Sequence, residues 1–269
     1  MFYTSDNNNK MAIEELYTSD MAEWYDKFYC TPTELHDHLK FLKKVFNKHK
    51  VKSVLDVGCG TGRHSIALHK AGFTVQGIDL EVGMIDYAKK TSKEQNLQIP
   101  FEVQDMRKIN VNKKFDAVIV LYTTFSYLRS NDDIIKALQS IRKHLKPNGI
   151  IIIDTFFVWP HLAKGTFKTE VRDKEIIGNK TFEQIDSNKL DLISNRLFVT
   201  ATFKRKIGNK SLPTVKDKKA VELRLFLPNE LDLFYRLTGF KQLEIYGDFK
   251  NHKLSNEHHR RLISVAQRI

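Results

Sequence analysis

Residues 54–64 read VLDVGCGTGRH, an apolar run that meets glycine at positions 58, 60 and 62. Glycine at alternate positions after a strand-like run means that the backbone turns sharply and something approaches it closely. Three ligands compete for such a loop. A nucleoside triphosphate loop needs G-x-x-x-x-G-K-[ST], and no Lys-Ser/Thr pair follows these glycines. A dinucleotide loop needs G-x-G-x-x-G, whereas here the spacing is G-x-G-x-G with Arg63 where the last glycine should stand. Asp56, just before the loop, would repel a pyrophosphate and favour a ligand carrying positive charge.

S-adenosylmethionine has two such charges, an ammonium and a sulfonium, and no phosphate. A second acid fits the same ligand. Asp79 ends the run GID at about the distance where nucleotide folds place a carboxylate on ribose hydroxyls. Alone it would read as a helix cap; with the strand and the glycine loop before it, it reads as a ribose ligand. Asp105, in QDM, follows a third strand-like run and is placed to accept from an adenine amino group.

Working outward, ELHDHLKFLKKVFNKH (34–49) has leucine, valine and phenylalanine at helical spacing. SVLDV, FTVQGID, PFEVQD, FDAVIVLY and IIIIDTF read as strands, separated by the helices HSIALHKA, GMIDYAKKTSKEQ and DDIIKALQSIRKHL, the last closed by KPNG. FDAVIVLY is apolar almost throughout, as a strand covered on both faces must be. This alternation predicts an α/β fold with a Rossmann-like, doubly wound, mostly parallel sheet. After Phe157 the period changes to two in TFKTEVR, KTFEQID, RLFVTATFKRKI and AVELRLFL, predicting an antiparallel β insertion after strand five. PNELDLFYRLTG is a helix, and FKQLEIYGDF and RRLISVAQ are closing strands. The expected organisation is an N-terminal segment 1–33 that closes over the ligand, a main domain of 34–160 and 226–269, and an insertion of 161–225 acting as a lid or dimer surface.

Composition narrows the class. With 269 residues, 41% hydrophobic and 11% aromatic, the chain can bury a substantial core. No signal-like start or eighteen-residue apolar run is present, so a cytoplasmic protein without membrane spans is expected. The start MFYTSDNNNK is polar, YTSD recurs at 17–20, and Met11 offers an alternative first residue. Cys30 and Cys59 have no metal-like spacing and read as reduced thiols. No metal site is expected. The net charge of +12 raises nucleic acid as a partner, but lysine spread along helices also suits a solvated surface.

VLDVGCGTGRH, GIDLEVGMIDYAKK, FEVQDMRKI and FDAVIVLYTTFSYL, in this order, resemble class I S-adenosylmethionine-dependent methyltransferases. WYDKFY, DMR, TTFSYL and the insertion are similar to the small-molecule branch that includes nucleotide-sugar amine N-methyltransferases. The resemblance implies S-adenosylmethionine as cofactor and S-adenosylhomocysteine as product. It implies that Gly58 and Gly60, with Asp56 and Cys59 beside them, hold the methionine moiety, and that Asp79 grips the ribose. Leu80 and Met84 would pack on the adenine, Gln104, Asp105 and Met106 would line its edge, and Leu121 would touch ribose and methionine. Tyr25 would close over the methionine carboxylate. On the acceptor side, Tyr127 leads, with Tyr122 and Asp154 as further catalytic residues and Thr123, Thr124 and Tyr17 nearby. His64 reads as opening the helix after the loop rather than as a base.

The acceptor is expected to be a small molecule methylated at nitrogen or oxygen. LYTTFSYL lacks the Asn/Asp-Pro-Pro-Tyr pattern that grips a flipped base, which disfavours an RNA methyltransferase, the alternative that the charge suggests. A cofactor-binding protein without turnover is a further alternative, and the oligomeric expectation is a monomer or a homodimer. Lys204, Arg205, Lys206 and Arg224 of the insertion read as a solvated lysine-rich sheet face, with contact to an anionic acceptor as the alternative. His258 and His259 read as part of a surface hairpin, reach into the pocket being the alternative.

Overall fold

The structure, a computed structural model, describes residues 31–216, 220–255 and 259–269. The chain enters through α1 (Pro32–Lys48). Thr31 and Glu34 form a reciprocal capping box at its start, and Pro32 occupies a first-turn position where no N–H is needed. Strands and helices then alternate as β1 (Ser53–Val57), α2 (Arg63–Lys70), β2 (Thr74–Asp79), α3 (Val82–Glu94), β3 (Phe101–Val103), β4 (Phe115–Val120), α4 (Asn131–His144) and β5 (Leu145–Phe156). After α5 (Trp159–Ala163) come β6 (Glu170–Ile177), β7 (Lys180–Asp191), β8 (Arg196–Ile207), β9 (Lys210–Ser211), β10 (Val215–Lys216) and β11 (Val221–Arg224). The chain closes with α6 (Pro228–Leu237), β12 (Phe240–Tyr246) and β13 (Arg261–Arg268).

The main sheet has the order β12-β13-β5-β4-β1-β2-β3. β1 pairs in parallel with β2 on one side and with β4 on the other, and β13 runs antiparallel to both β5 and β12. Because the chain leaves β1 toward β2 and later returns to β4, a crevice opens at the carboxyl ends of these strands, where α/β sheets place their ligands. Alternation along β4 and β5 shows why both are continuously apolar. Val118, Val120, Ile151 and Ile153 pack with α4 and α6 on one face. Ala117, Ile119, Ile150 and Ile152 pack with α1 and α2 on the other. All eight are fully buried.

Some boundaries differ from the expected ones. β5 begins at Leu145, and KPNG is an irregularity inside the strand rather than a loop before it. There the pairing with β4 jumps from Leu145 to Ile150 opposite Phe115 and Ala117, and Asn148 takes φ 61. β3 is only three residues long because Asp105 turns the chain by accepting from the Arg107 N–H.

The insertion forms a second, antiparallel sheet of order β10-β8-β7-β6, with β9 and β11 also pairing β8. Its long β7–β8 hairpin turns at Asp191, whose carboxylate accepts from the Ile193 and Ser194 N–H groups and the Ser194 hydroxyl. One end of this sheet buries Leu197, Leu223 and Leu225 against Val158, with Tyr127, Leu162 and Phe167 packed alongside. No helix among the described residues is long and apolar enough to cross a membrane.

Candidate functional site

A cavity lies at the carboxyl ends of β1, β2 and β4. Its walls include Asp56, Gly58, Cys59 and Gly60 from the glycine loop, Asp79, Leu80 and Met84 from β2 and α3, and Gln104 and Met106 after β3. Leu121, Tyr122, Thr124 and Tyr127 close it from the β4 side. Fold topology therefore brings together most of the residues singled out from four separate segments of sequence.

The three glycines have φ of 72, 54 and 78, all in the left-handed region. They serve different purposes. A side chain on Gly58 would lie 2.2 Å from Thr124 Cγ2, and one on Gly62 would strike the Phe101 ring at 2.8 Å. Gly60 meets nothing within 4 Å, so its bare backbone borders the open cavity.

Asp79 is held from two sides. Its Oδ2 accepts from the Gly60 N–H at 2.8 Å and its Oδ1 from the Glu81 N–H at 2.9 Å. Each carboxylate oxygen keeps a second acceptor site, which suits a vicinal diol. Burial raises its pKa above the usual range, with the two backbone bonds opposing that shift.

Asp56 is 2% exposed, and its Oδ2 accepts from the Ser65 hydroxyl at 2.7 Å. Burial pushes its pKa up to about 7, the Ser65 bond opposes this, and the nearby Asp79 charge adds to it. An ammonium in the cavity would offset that shift by stabilising the ionised form. The Cys59 thiol is buried, and burial, then the Asp56 and Asp79 charges, keep it protonated and unreactive.

Four groups of residues do not take the site roles considered for them: Asp105, the pair Asp154 and Thr123, the insertion's cations, and His259. Asp105 is not part of the cavity wall: the Arg107 guanidinium grips its Oδ1 at 3.1 Å and its Oδ2 at 2.7 Å, and reaches on to Asp133. Burial opposes its charge, but these bonds outweigh it and hold the carboxyl below the usual range. Asp154 also lies outside the wall. It is fully buried, and its Oδ2 accepts from Arg261 Nη1 at 2.6 Å and from the Tyr122 N–H at 3.0 Å, so it cannot reach an acceptor as a base. Thr123 is likewise buried and, between the wall residues Tyr122 and Thr124, does not itself line the cavity.

Third are the insertion's cations, for which contact with an anionic acceptor was the alternative. Arg224 is 8% exposed, pairs with Glu230 and donates to the Arg129 carbonyl, which makes it an internal strut. Lys204 pairs with Glu183 at 3.9 Å. Lys204, Arg205 and Lys206 sit on β8 about 20 Å or more beyond Leu197, where the insertion meets Tyr127, at a rise of roughly 3.3 Å per residue. Fourth, the His259 ring packs over Gly247 rather than in the cavity. Tyr17, Tyr25 and His258 lie outside the described residues.

His38, which the sequence did not single out, meets His64 here. His38 Nδ1 and His64 Nε2 are 3.0 Å apart, both rings buried. Burial, with Arg261 and Arg63 adding to it, lowers the His38 pKa to about 3, and burial with His38 beside it drives His64 well below its usual value. The pair is thus neutral at physiological pH, one nitrogen donating to the other. Arg63 lines the cavity. His38 lies on the buried face of α1 with Phe41, Leu42 and Val45, a position that helical spacing could have marked, but only the fold shows its partner.

Residues 54–149 match the family described as "Methyltransferase domain". The glycine loop, Asp79 and the β4 end all fall within the matched residues. Among curated relatives, the chain is 42% identical to "Putative methyltransferase YqeM" of Bacillus subtilis (strain 168), over 38% of this chain and 41% of that protein. It is 27% identical to "dTDP-3-amino-3,4,6-trideoxy-alpha-D-glucopyranose N,N-dimethyltransferase" of Streptomyces venezuelae, over 58% and 65%. It is 34% identical to "Glycine/sarcosine N-methyltransferase" of Aphanothece halophytica, over 51% and 53%. The chain spans from about two fifths to just under two thirds of the length of these relatives. Over the whole fold it superposes on a S-adenosylmethionine-dependent methyltransferase from Clostridium acetobutylicum ATCC 824, with a TM-score of 0.77, 18% identity and coverage of 93% and 98%. The sugar N-methyltransferase KedS8 from Streptoalloteichus sp ATCC 53650 gives a TM-score of 0.70 at 19% identity, with 87% of each chain covered.

Proposed function

We propose that the chain is a S-adenosylmethionine-dependent methyltransferase that acts on a nitrogen or oxygen of a small molecule. The observation that carries this reading is the shared cavity of Asp56, Gly60 and Asp79. A buried acid suited to an ammonium, a bare backbone and a doubly anchored carboxylate suited to a ribose stand in chain order along one crevice. When bound, the cofactor supplies a methyl group on a sulfonium that is already a good leaving group.

The protein's part is then positional. Asp56 holds the methionine ammonium, the Gly58–Gly60 backbone accommodates the methionine moiety, and Asp79 takes the ribose hydroxyls. Leu80 and Met84 offer apolar contact to the adenine, with Gln104 and Met106 at its edge. Tyr122, Thr124 and Tyr127 border the side from which an acceptor must approach to within about 3 to 3.5 Å and in line. Tyr127 also packs on the Val158–Leu197–Leu223–Leu225 cluster, so the insertion supports the acceptor side of the cavity. The relatives named for amino sugars and for glycine support an amine as the acceptor.

The test is label transfer from S-[methyl-³H]adenosylmethionine to an extract of the source organism, separated into small-molecule, protein and RNA fractions. Label in small molecules that is lost with Asp79→Ala supports the reading. Label in RNA that nuclease releases would transfer the function to the basic surface, and cofactor binding with no label in any fraction would leave a binding protein.

A further inference from the structure

The β4 end carries two consecutive non-glycine residues in the left-handed region, Tyr122 at φ 54 and Thr123 at φ 64. Such residues persist only where their surroundings over-determine them, and they gather at functional sites. The surroundings here are specific. Asp154, on β5, accepts from the Tyr122 N–H through its carboxylate and from the Thr123 N–H, at 3.2 Å, through its carbonyl. Its carboxylate is in turn gripped by Arg261 at the start of β13, opposite Phe156 in the sheet. The Arg261 guanidinium also lies 5.0 Å from the Tyr122 ring centroid, and that of Arg63 lies 5.4 Å from it.

Tyr122 is thus fixed at backbone and ring by the same ion pair. The next residue but one, Thr124, presses on Gly58. A shift of this turn would therefore move both the tyrosine wall and the glycine loop.

We propose that Asp154 and Arg261 are a positioning pair for the cavity, holding Tyr122 in its left-handed conformation as part of the wall against which the cofactor seats. This rests on the cofactor reading above. Neither residue touches the ligand; both act through Tyr122. The pair explains why a fully buried acid and an arginine 107 positions later are kept together beside the site, when neither lines it.

The test is calorimetric titration of S-adenosylhomocysteine into the full chain and its variants, well below their melting midpoints. Arg261→Gln should weaken binding about tenfold or more, the scale of one strained residue released. Arg261→Lys, which keeps the charge and safeguards folding, should lose less. In a Tyr122→Gly background, where the left-handed backbone costs nothing, adding Arg261→Gln should change affinity by less than about twofold. A role confined to stability would lower the midpoint of both arginine variants and leave their affinity as in the unaltered chain, and that result overturns the proposal alone. Absence of binding by the unaltered chain overturns the cofactor reading and the proposal with it.

Discussion

The N–H of Gly60 donates to Asp79 Oδ2 at 2.8 Å, joining the loop after β1 to the end of β2 beside the cavity. A glycine that borders open space and an acid that ends the next strand are thereby set at a fixed separation. The methionine and ribose portions of one ligand would need that separation held.

Glycine substitutions should separate stability from binding. Gly58→Ala combines a left-handed backbone with a contact of 2.2 Å to Thr124 and should cost about 3 kcal/mol of stability. Gly60→Ala meets no atom, so only the backbone term of about 1 to 2 kcal/mol applies. Thermal denaturation should rank Gly58→Ala as the less stable, while titration with S-adenosylhomocysteine should show weakened binding by the folded Gly60→Ala variant.

Asp56 should make cofactor affinity depend on pH. Its carboxyl titrates near 3.8 in an unfolded chain and at about 7 when folded. Between these values the folded state holds the extra proton, so stability falls as pH rises from about 4 to about 7. A bound cation favours the ionised form. S-adenosylmethionine should therefore bind more tightly at pH 8 than at pH 6, and Asp56→Asn should flatten that profile. An unchanged pH profile in the variant would remove Asp56 from the ammonium site.

The histidine pair has the opposite sign. His38 is neutral in the folded chain down to about pH 3 but gains a proton near pH 6.5 when unfolded. Stability is therefore complete above about 6.5 and declines as pH falls below it. His38→Gln should reduce the slope of the acid limb, in plots of unfolding free energy against pH, by about one proton.

Within the insertion, the buried and exposed cations should behave differently. Arg224→Leu leaves Glu230 without its partner and should cost about 3 kcal/mol. Lys206→Ala, on an exposed face, should change stability by less than about 0.5 kcal/mol. Urea denaturation distinguishes them.

The parts of this molecule that could be read from sequence are those whose signals are local. Short apolar runs and helical spacing marked β1 to β5 and their helices, period two marked the insertion, and the left-handed turn before α2 was written in its glycines. Asp79 was legible because strand end and spacing fall within one βαβ unit. What escaped notice depends on partners brought from afar. Asp105 looked free although Arg107, two positions on, grips it, because only the fold brings Asp133 to steady that guanidinium; Asp154 looked catalytic until β13 brought Arg261 to it across 107 positions. Arg224 shows the same limit. An arginine in a period-two strand reads as solvent-facing, yet β8, β11 and α6 fold around it and use its charge internally. The short β9 and β10 gave too few residues for any period to be seen.

The central claim rests on the acid that ends β2. Calorimetry of S-adenosylhomocysteine with the unaltered chain and with Asp79→Ala tests it most directly. The account predicts saturable one-to-one binding that the substitution weakens by about 1.5 to 3 kcal/mol, or roughly ten- to a hundredfold. Equal affinity in the two proteins would contradict the placement of the cofactor.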